Sequence, residues 1–138
     1  MLAVFGDSLE FLEASKKNYA KAISLYEDME FSKFVDKLYE TCFTATQSLI
    51  CLVKKEVYSS HTKVYEFIQA ELVRRRYIGE FLMDLYMLMS ANSGNLQVEQ
   101  GDRLSGLGDV EEVKSNAEIF LEVVYKLIIS LSGKQISF

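Results

Sequence analysis

Apolar residues recur at spacings of three and four along most of this chain, which is the period of an amphipathic α-helix. The pattern predicts five helices, four of them preceded by a residue suited to cap a helix. The candidate caps are Asp7, Ser32, Ser59 or Ser60, and Asp109. The residues predicted to face the core are Leu9, Leu12, Lys16, Tyr19, Ala20, Ile23 and Tyr26, then Val35, Leu38, Cys42, Ala45, Leu49, Leu52 and Val53, then Val64, Phe67, Ile68 and Leu72, then Phe81, Leu82, Leu85, Leu88 and Met89, and finally Val113, Ala117, Phe120, Leu121, Val124, Leu127, Ile128 and Leu131.

The interruptions between these stripes indicate how the helices connect. A bend is predicted at residues 77–79, one long glycine-containing loop at about residues 93–108, and a helix stop at Gly133. The other connections are short, and short connections favour antiparallel neighbours. We therefore expect an all-α fold, an up-and-down bundle of about five helices, in a single domain over residues 1–138. The apolar fraction of 49% is sufficient for a packed core.

Charge and cysteine content narrow the class of protein. The net charge of −5 argues against a dedicated nucleic-acid binder, which usually carries a basic face. Cys42 and Cys51 are nine residues apart on one predicted helix, roughly 13 Å along its axis, which is too far for a disulfide. We expect both to be small buried residues of a cytoplasmic protein. The longest uncharged runs, 41–53 and 85–98, are shorter than the ~20 residues that span a bilayer.

One turn gathers the residues best suited to bind an anion. Lys54, Lys55, His61 and Lys63 lie close together in the sequence around the start of the third helix. The exposed N–H groups of that helix could complete a site for a phosphate or nucleotide. The alternative interpretation is that His61 is a structural residue, bonded locally at a helix start, and we favour it because no second histidine or cysteine pair accompanies it.

Other chemistry has little support in the sequence. The three consecutive arginines 74–76 fan over roughly 200° of a helix, so they cannot all face one ligand. The chain has no phosphate-binding glycine loop, no HExxH and no CxxC, and we expect no catalytic residues of a standard kind, no metal and no cofactor.

Residues 13–68 resemble the core of a HEPN domain. The features that carry the resemblance are small residues in the first helix, a second helix with tyrosine and leucine, and a turn that ends in histidine before a helix with phenylalanine. They fall on Ala20, Ala22, Tyr39, Thr46, Leu49, His61 and Phe67. The resemblance implies an up-and-down helical bundle that commonly dimerises, and a small nucleotidyltransferase as a partner, in a pair similar to a toxin–antitoxin system.

The chain departs from the catalytic members of that family. Those members are ribonucleases that carry an arginine followed four to six residues later by a histidine, whereas Arg103 has no histidine after it through Asp109. The arginine and tyrosine of another family element are missing from residues 90–95, SANSGN. We therefore expect a non-catalytic module, with an atypical ribonuclease or nucleotide-binding protein built around His61 as the alternative.

A homodimer is the expected assembly. The apolar fraction is high for a narrow bundle, so some large side chains should remain outside the core and form a self-complementary patch. The candidates for this patch are Phe31, Phe34, Tyr39, Phe43, Met83 and Met87.

Overall fold

The computed structural model describes residues 2–93 and 110–132, with side chains for 7–90 and 110–132. It confirms the all-α bundle, since the described residues form five helices and no strand. The helices are α1 Leu2–Glu27, α2 Phe31–Lys54, α3 His61–Phe67, α4 Glu80–Ser93 and α5 Val110–Ser132. α3 continues directly into a π-helical turn, Ile68–Val73. The predicted long loop, apart from residue 93, and the predicted signals at Asp109 and Gly133 lie outside the described residues.

α2 is the central helix of the described fold. It packs against α1, α3, α4 and α5, and every residue from 45 to 52 is buried. Its predicted stripe is confirmed, apart from the half-buried Val53. Its middle also buries Thr46, Gln47 and Ser48, because neighbours cover the sides that an ordinary amphipathic helix leaves to water.

α1 packs on α2 through small residues spaced by seven. The Ser8 and Ser48 hydroxyls lie 2.9 Å apart, and each also donates to the other serine's carbonyl oxygen, at 3.1 and 2.8 Å. One heptad further along α1, the Ser15 hydroxyl donates to the Thr41 carbonyl at 2.8 Å. A step of seven residues up α1 thus matches seven residues down α2, which is the register of an antiparallel helical hairpin. Serine side chains permit this approach because they are small and can bond the facing backbone.

The predicted core stripe of α1 is only partly correct, since Leu12, Tyr19 and Tyr26 pack against the core but other members face solvent. Among the residues of α1 whose side chains are described, Ser8, Ser15 and Ala22 are the buried ones. Leu9, by contrast, is 57% exposed, and Lys16 and Ala20 also face solvent. Apolarity alone places the leucine inside, but the close hairpin needs small residues at its centre, so the larger side chains flank the contact.

Three helices end without the glycine that usually permits a left-handed residue. Met29, Lys55 and Arg76 have φ of 62°, 59° and 65°. At the first of these, the Glu30 N–H donates to the Leu25 carbonyl and the Met29 N–H to the Tyr26 carbonyl, both at 3.0 Å, which is a Schellman ending. The predicted bend at 77–79 follows the last of the three.

The predicted helix starts are only partly correct. Ser60 caps α3 as expected, accepting from the Lys63 N–H at 3.3 Å. Asp7, however, lies inside α1, which begins at Leu2. Ser32 lies inside α2, whose N-cap position is Glu30 with no side-chain capping bond. α2 therefore starts directly after the Schellman turn at Met29 and Glu30, without a capping side chain.

The stripes of α3 and α5 are confirmed, apart from the half-buried Leu131, whereas that of α4 is partly wrong. Phe81 is 57% exposed, and the core instead takes Met83 and Tyr86. The patch predicted for a homodimer is also changed, because Phe34, Tyr39 and Met83 are buried within the bundle. None of the described helices is both long and apolar enough to span a membrane.

Candidate functional site

His61 lies in an aromatic cluster where α2, α3 and α4 meet. It is the first residue of α3, and its Nδ1 is 2.6 Å from the hydroxyl oxygen of Tyr39 on α2. Its ring stacks on Phe43, with 4.2 Å between ring centroids and 20° between planes. Tyr86 of α4 continues the cluster, with its ring centroid 5.2 Å from that of Tyr39. The histidine is therefore packed against the side of the bundle and half-buried there.

The electrostatics of this cluster favour a neutral histidine. Burial lowers the pKa of His61 and raises the pKa of Tyr39, so both groups are uncharged at neutral pH. The nearby hydroxyls of Ser90 and Tyr86 partly offset the effect of burial on the pKa of Tyr39. We assign the Tyr39 hydroxyl as donor to Nδ1, which places the imidazole proton on Nε2.

The arginines do not accompany this histidine. Residues 74–76 follow the π-helical turn, at least thirteen residues from His61, or roughly 20 Å at ~1.5 Å per residue. All three are exposed. Arg75 pairs with Glu71 at 3.4 Å, and Arg76 is the left-handed residue that ends the turn. Within one subunit they supply no positive charge for a reaction at the imidazole.

Two of the predicted anion-binding lysines share a groove beside α3. The groove has a volume of about 340 Å³. Its lining residues, which define what we name the α3 groove, are Lys54, Glu56, Tyr58, Lys63, Glu66, Phe67, Ala70 and Glu71. Lys54 is 3.9 Å from the Glu71 carboxylate, and the Lys63 ammonium lies 5.8 Å from the centre of the Tyr58 ring. Three carboxylates against two ammonium groups give the groove mixed charge with an acidic excess.

The other two predicted residues do not line this groove. Lys55 is exposed and occupies the left-handed position at the end of α2, and His61 turns toward Tyr39 and Phe43 instead. Lys54 and Lys63 thus share a groove that Lys55 and His61 do not line.

Glu66 and Glu71 also line this groove, and the sequence pattern did not predict them there. Glu66 follows Lys63 by three positions and so lies near the same helix face, whereas Glu71 belongs to the π-helical turn. The bond between Tyr39 and His61 joins residues 22 positions apart. No spacing rule predicts such a contact between helices.

A second polar cluster joins α1 to α5. The Tyr19 hydroxyl donates to the Glu118 carboxylate, which also pairs with Lys114 at 2.9 Å. Burial, reinforced by the bond to Glu118, raises the pKa of Tyr19 to about 12. Burial opposes ionisation of Glu118, but the Tyr19 hydroxyl and the Lys114 ammonium outweigh it and lower the pKa of this carboxyl. The hydrogen bond between Tyr19 and Glu118 links α1 to α5, and Lys114 pairs with the same carboxylate from within α5.

Within the described residues, no group of three or more histidine, cysteine or acidic side chains is arranged to hold a metal ion. Comparisons of this chain with protein-family models, with curated proteins and with solved structures found no match. The function must therefore be argued from the geometry.

Proposed function

We propose that this chain is a non-catalytic, HEPN-like helical module, a homodimeric accessory protein whose partner is a small nucleotidyltransferase. The observation that carries the non-catalytic part is the bond between His61 and Tyr39. A general base needs its accepting nitrogen directed at the substrate, next to a group that stabilises the developing phosphate charge. Here Nδ1 is bonded to the hydroxyl of a buried tyrosine, the ring is stacked on Phe43, and the arginines lie at the far end of the π-helical turn.

The surroundings of His61 favour the structural interpretation of this residue. The imidazole joins α3 to the central helix through one hydrogen bond and one ring stack. Removing its hydroxyl partner would leave Nδ1 unpaired, at a cost of about 1–3 kcal/mol if the nitrogen stays out of water. The partner type rests on the HEPN resemblance of residues 13–68, and the all-α bundle is consistent with that family's fold.

The cytoplasm is the compartment we propose. Cys42 and Cys51 are both free and buried, and burial raises the pKa of each thiol. Unpaired, protonated thiols inside a core suit a reducing compartment.

The alternative is an atypical ribonuclease or nucleotide-binding protein. Lys54 and Lys63 line one groove with the half-buried ring of Tyr58, so charge and one stacking surface for a nucleotide are present there. The acidic residues Glu56 and Glu66 in the same lining weaken its attraction for a phosphate.

The test of the non-catalytic proposal is an RNA cleavage assay on the purified protein. Structured and single-stranded RNA are incubated with the wild type, His61→Ala and Tyr39→Phe. We expect no cleavage by any of them, and a lower melting temperature for both variants because each removes the same bond. Cleavage by the wild type that is lost in His61→Ala would overturn the proposal.

The partner proposal has a separate test. We expect a gene for a small nucleotidyltransferase next to the gene for this chain, and co-elution of the two proteins after co-expression. A gene of that class whose product elutes apart from this chain would contradict the partner assignment and leave the assay above unaffected.

A further inference from the structure

α5 carries a second stripe on the side that faces solvent. Its members are Ile119, Glu122, Lys126 and Ile129, which we name the α5 seam. The two isoleucines are 45% and 67% exposed, and the charged side chains between them are 63% and 73% exposed. The spacings of three, four and three residues are those of the a and d positions of a coiled coil. The opposite face of α5 is already buried in the bundle.

The order of residues in the seam is self-complementary for antiparallel pairing. A two-fold axis passing beside Val124 brings Ile119 opposite Ile129 of the partner subunit and Glu122 opposite Lys126 of the partner subunit. Symmetry makes each contact twice, as in any isologous interface. A parallel pairing would instead match each charge with its own copy, and like charges in such a seam repel.

We propose that a second copy of this chain docks antiparallel on the α5 seam, and that this seam is the centre of the homodimer interface. The inference rests on the homodimer of the proposed function and names its surface. It replaces the patch predicted from sequence, three of whose six members are buried in the core.

An apolar groove beside the seam widens the available surface. It measures about 420 Å³ and runs between α1 and α5. It shares Glu122, Lys126 and Ile129 with the seam, and its other lining residues are Tyr19, Glu118, Leu121 and Tyr125. Four seam residues alone cover less than the ~800 Å² per partner of a stable interface. The groove adds apolar area on the α1 side, next to Ile129.

The remaining exposed apolar residues offer no comparable arrangement. Leu9, Met29, Val57 and Phe81 lie on α1, in the turn after it, before α3 and on α4. Large apolar side chains exposed singly are ordinary on a protein surface. In the described part of the chain, only the α5 seam repeats them on one helix face around a matched pair of charges.

Charge reversal tests the seam directly. The oligomeric state of the wild type, Glu122→Lys, Lys126→Glu and the double variant is measured by sedimentation equilibrium at tens of micromolar. We expect a dimer for the wild type, and at least a tenfold weaker dimer for each single variant, because each single variant places like charges opposite each other twice. The double variant exchanges the two charges and should dimerise again, and an equimolar mixture of the two single variants should form a heterodimer.

Glu40→Lys is the matched control. It reverses a carboxylate that pairs with Lys37 on the exposed side of α2, and we expect the dimer to persist. Circular dichroism at 222 nm verifies that every variant remains helical.

Cysteine pairs test the register. Under mild oxidation, a variant carrying both Ile119→Cys and Ile129→Cys should form a covalent dimer, whereas each single variant should not. In the antiparallel register a residue at either end of the seam is roughly 15 Å from its own copy at ~1.5 Å per residue. Efficient cross-linking of both single variants would overturn the antiparallel arrangement.

The outcomes separate the two proposals. A wild type that is monomeric in this range overturns both the homodimer and the seam. A wild-type dimer that survives both single charge reversals overturns the seam alone and leaves the homodimer standing.

Discussion

The most informative residue is His61, because its surroundings decide between catalytic and structural roles. It is the only histidine of the chain, and it is packed on Phe43 and bonded to Tyr39. Burial lowers its pKa, so protonation is harder in the folded chain than in the unfolded chain. This histidine therefore gives the stability of the protein a pH dependence that no other side-chain type shares near neutrality.

We predict that the wild type loses stability as pH falls below about 6.5, the ordinary pKa of histidine. Below that pH the unfolded chain takes up a proton that the folded chain binds less readily. The free energy of unfolding therefore decreases as the pH is lowered from the pKa of the unfolded chain to the lower pKa of the folded chain. Urea unfolding at a series of pH values from 7.5 to about 5 measures the slope. In His61→Gln, whose amide can still accept from Tyr39, the slope should be reduced.

Glu118 acts in a separate pH window. Its lowered pKa contributes stability that is present above the ordinary carboxyl pKa of about 4.3 and is lost only at more acid pH.

Stability curves of equal slope for the wild type and His61→Gln between pH 7 and 5 would show that this histidine does not titrate with folding.

At the level of elements, periodicity predicted the helices better than their ends or faces. The stripes of α2, α3 and α5 were correct because those helices bury apolar residues against apolar neighbours. The stripe of α1 was only partly correct, because its contact with α2 also uses Ser8 and Ser15, whose hydroxyls bond the facing backbone. The ends at Met29 and Lys55 carry no glycine signal, although both residues adopt a left-handed φ.

A pair of aspartate substitutions tests these helix faces. Leu49→Asp should destabilise by more than ~4 kcal/mol, because Leu49 is fully buried at the centre of α2 and the variant buries an unpaired charge. Leu9→Asp should cost less than about 1 kcal/mol, because Leu9 is 57% exposed. Urea denaturation compares the two variants.

If Leu49→Asp does not fold, Leu49→Ala replaces it, with an expected loss of about 2–5 kcal/mol. Equal losses for the two aspartate variants would mean that α1 turns its leucine face inward, as the sequence pattern alone suggests.

Across the whole molecule, the sequence was sufficient for the fold class but not for the site. The four residues 54, 55, 61 and 63 are neighbours in sequence, yet non-helical backbone between α2 and α3 separates Lys54 from His61 and Lys63. Lys54 and Lys63 meet in the α3 groove, while His61 meets Tyr39. Which side of a turn a side chain faces depends on packing between distant helices, and no local pattern records it.

The central position of α2 predicts where the molecule opens last. Its residues 38–52 pack against α1, α3, α4 and α5, so exposing their amides requires the whole described bundle to come apart. The π-helical turn Ile68–Val73 lies at the edge, next to the exposed arginines. Native-state hydrogen exchange should therefore find the slowest amides in α2, with opening free energies near that of global unfolding, and faster exchange in the π-helical turn. Equal protection of both segments would mean that the bundle opens only as one unit. Slower exchange in α1 than in α2 would contradict the central role of α2.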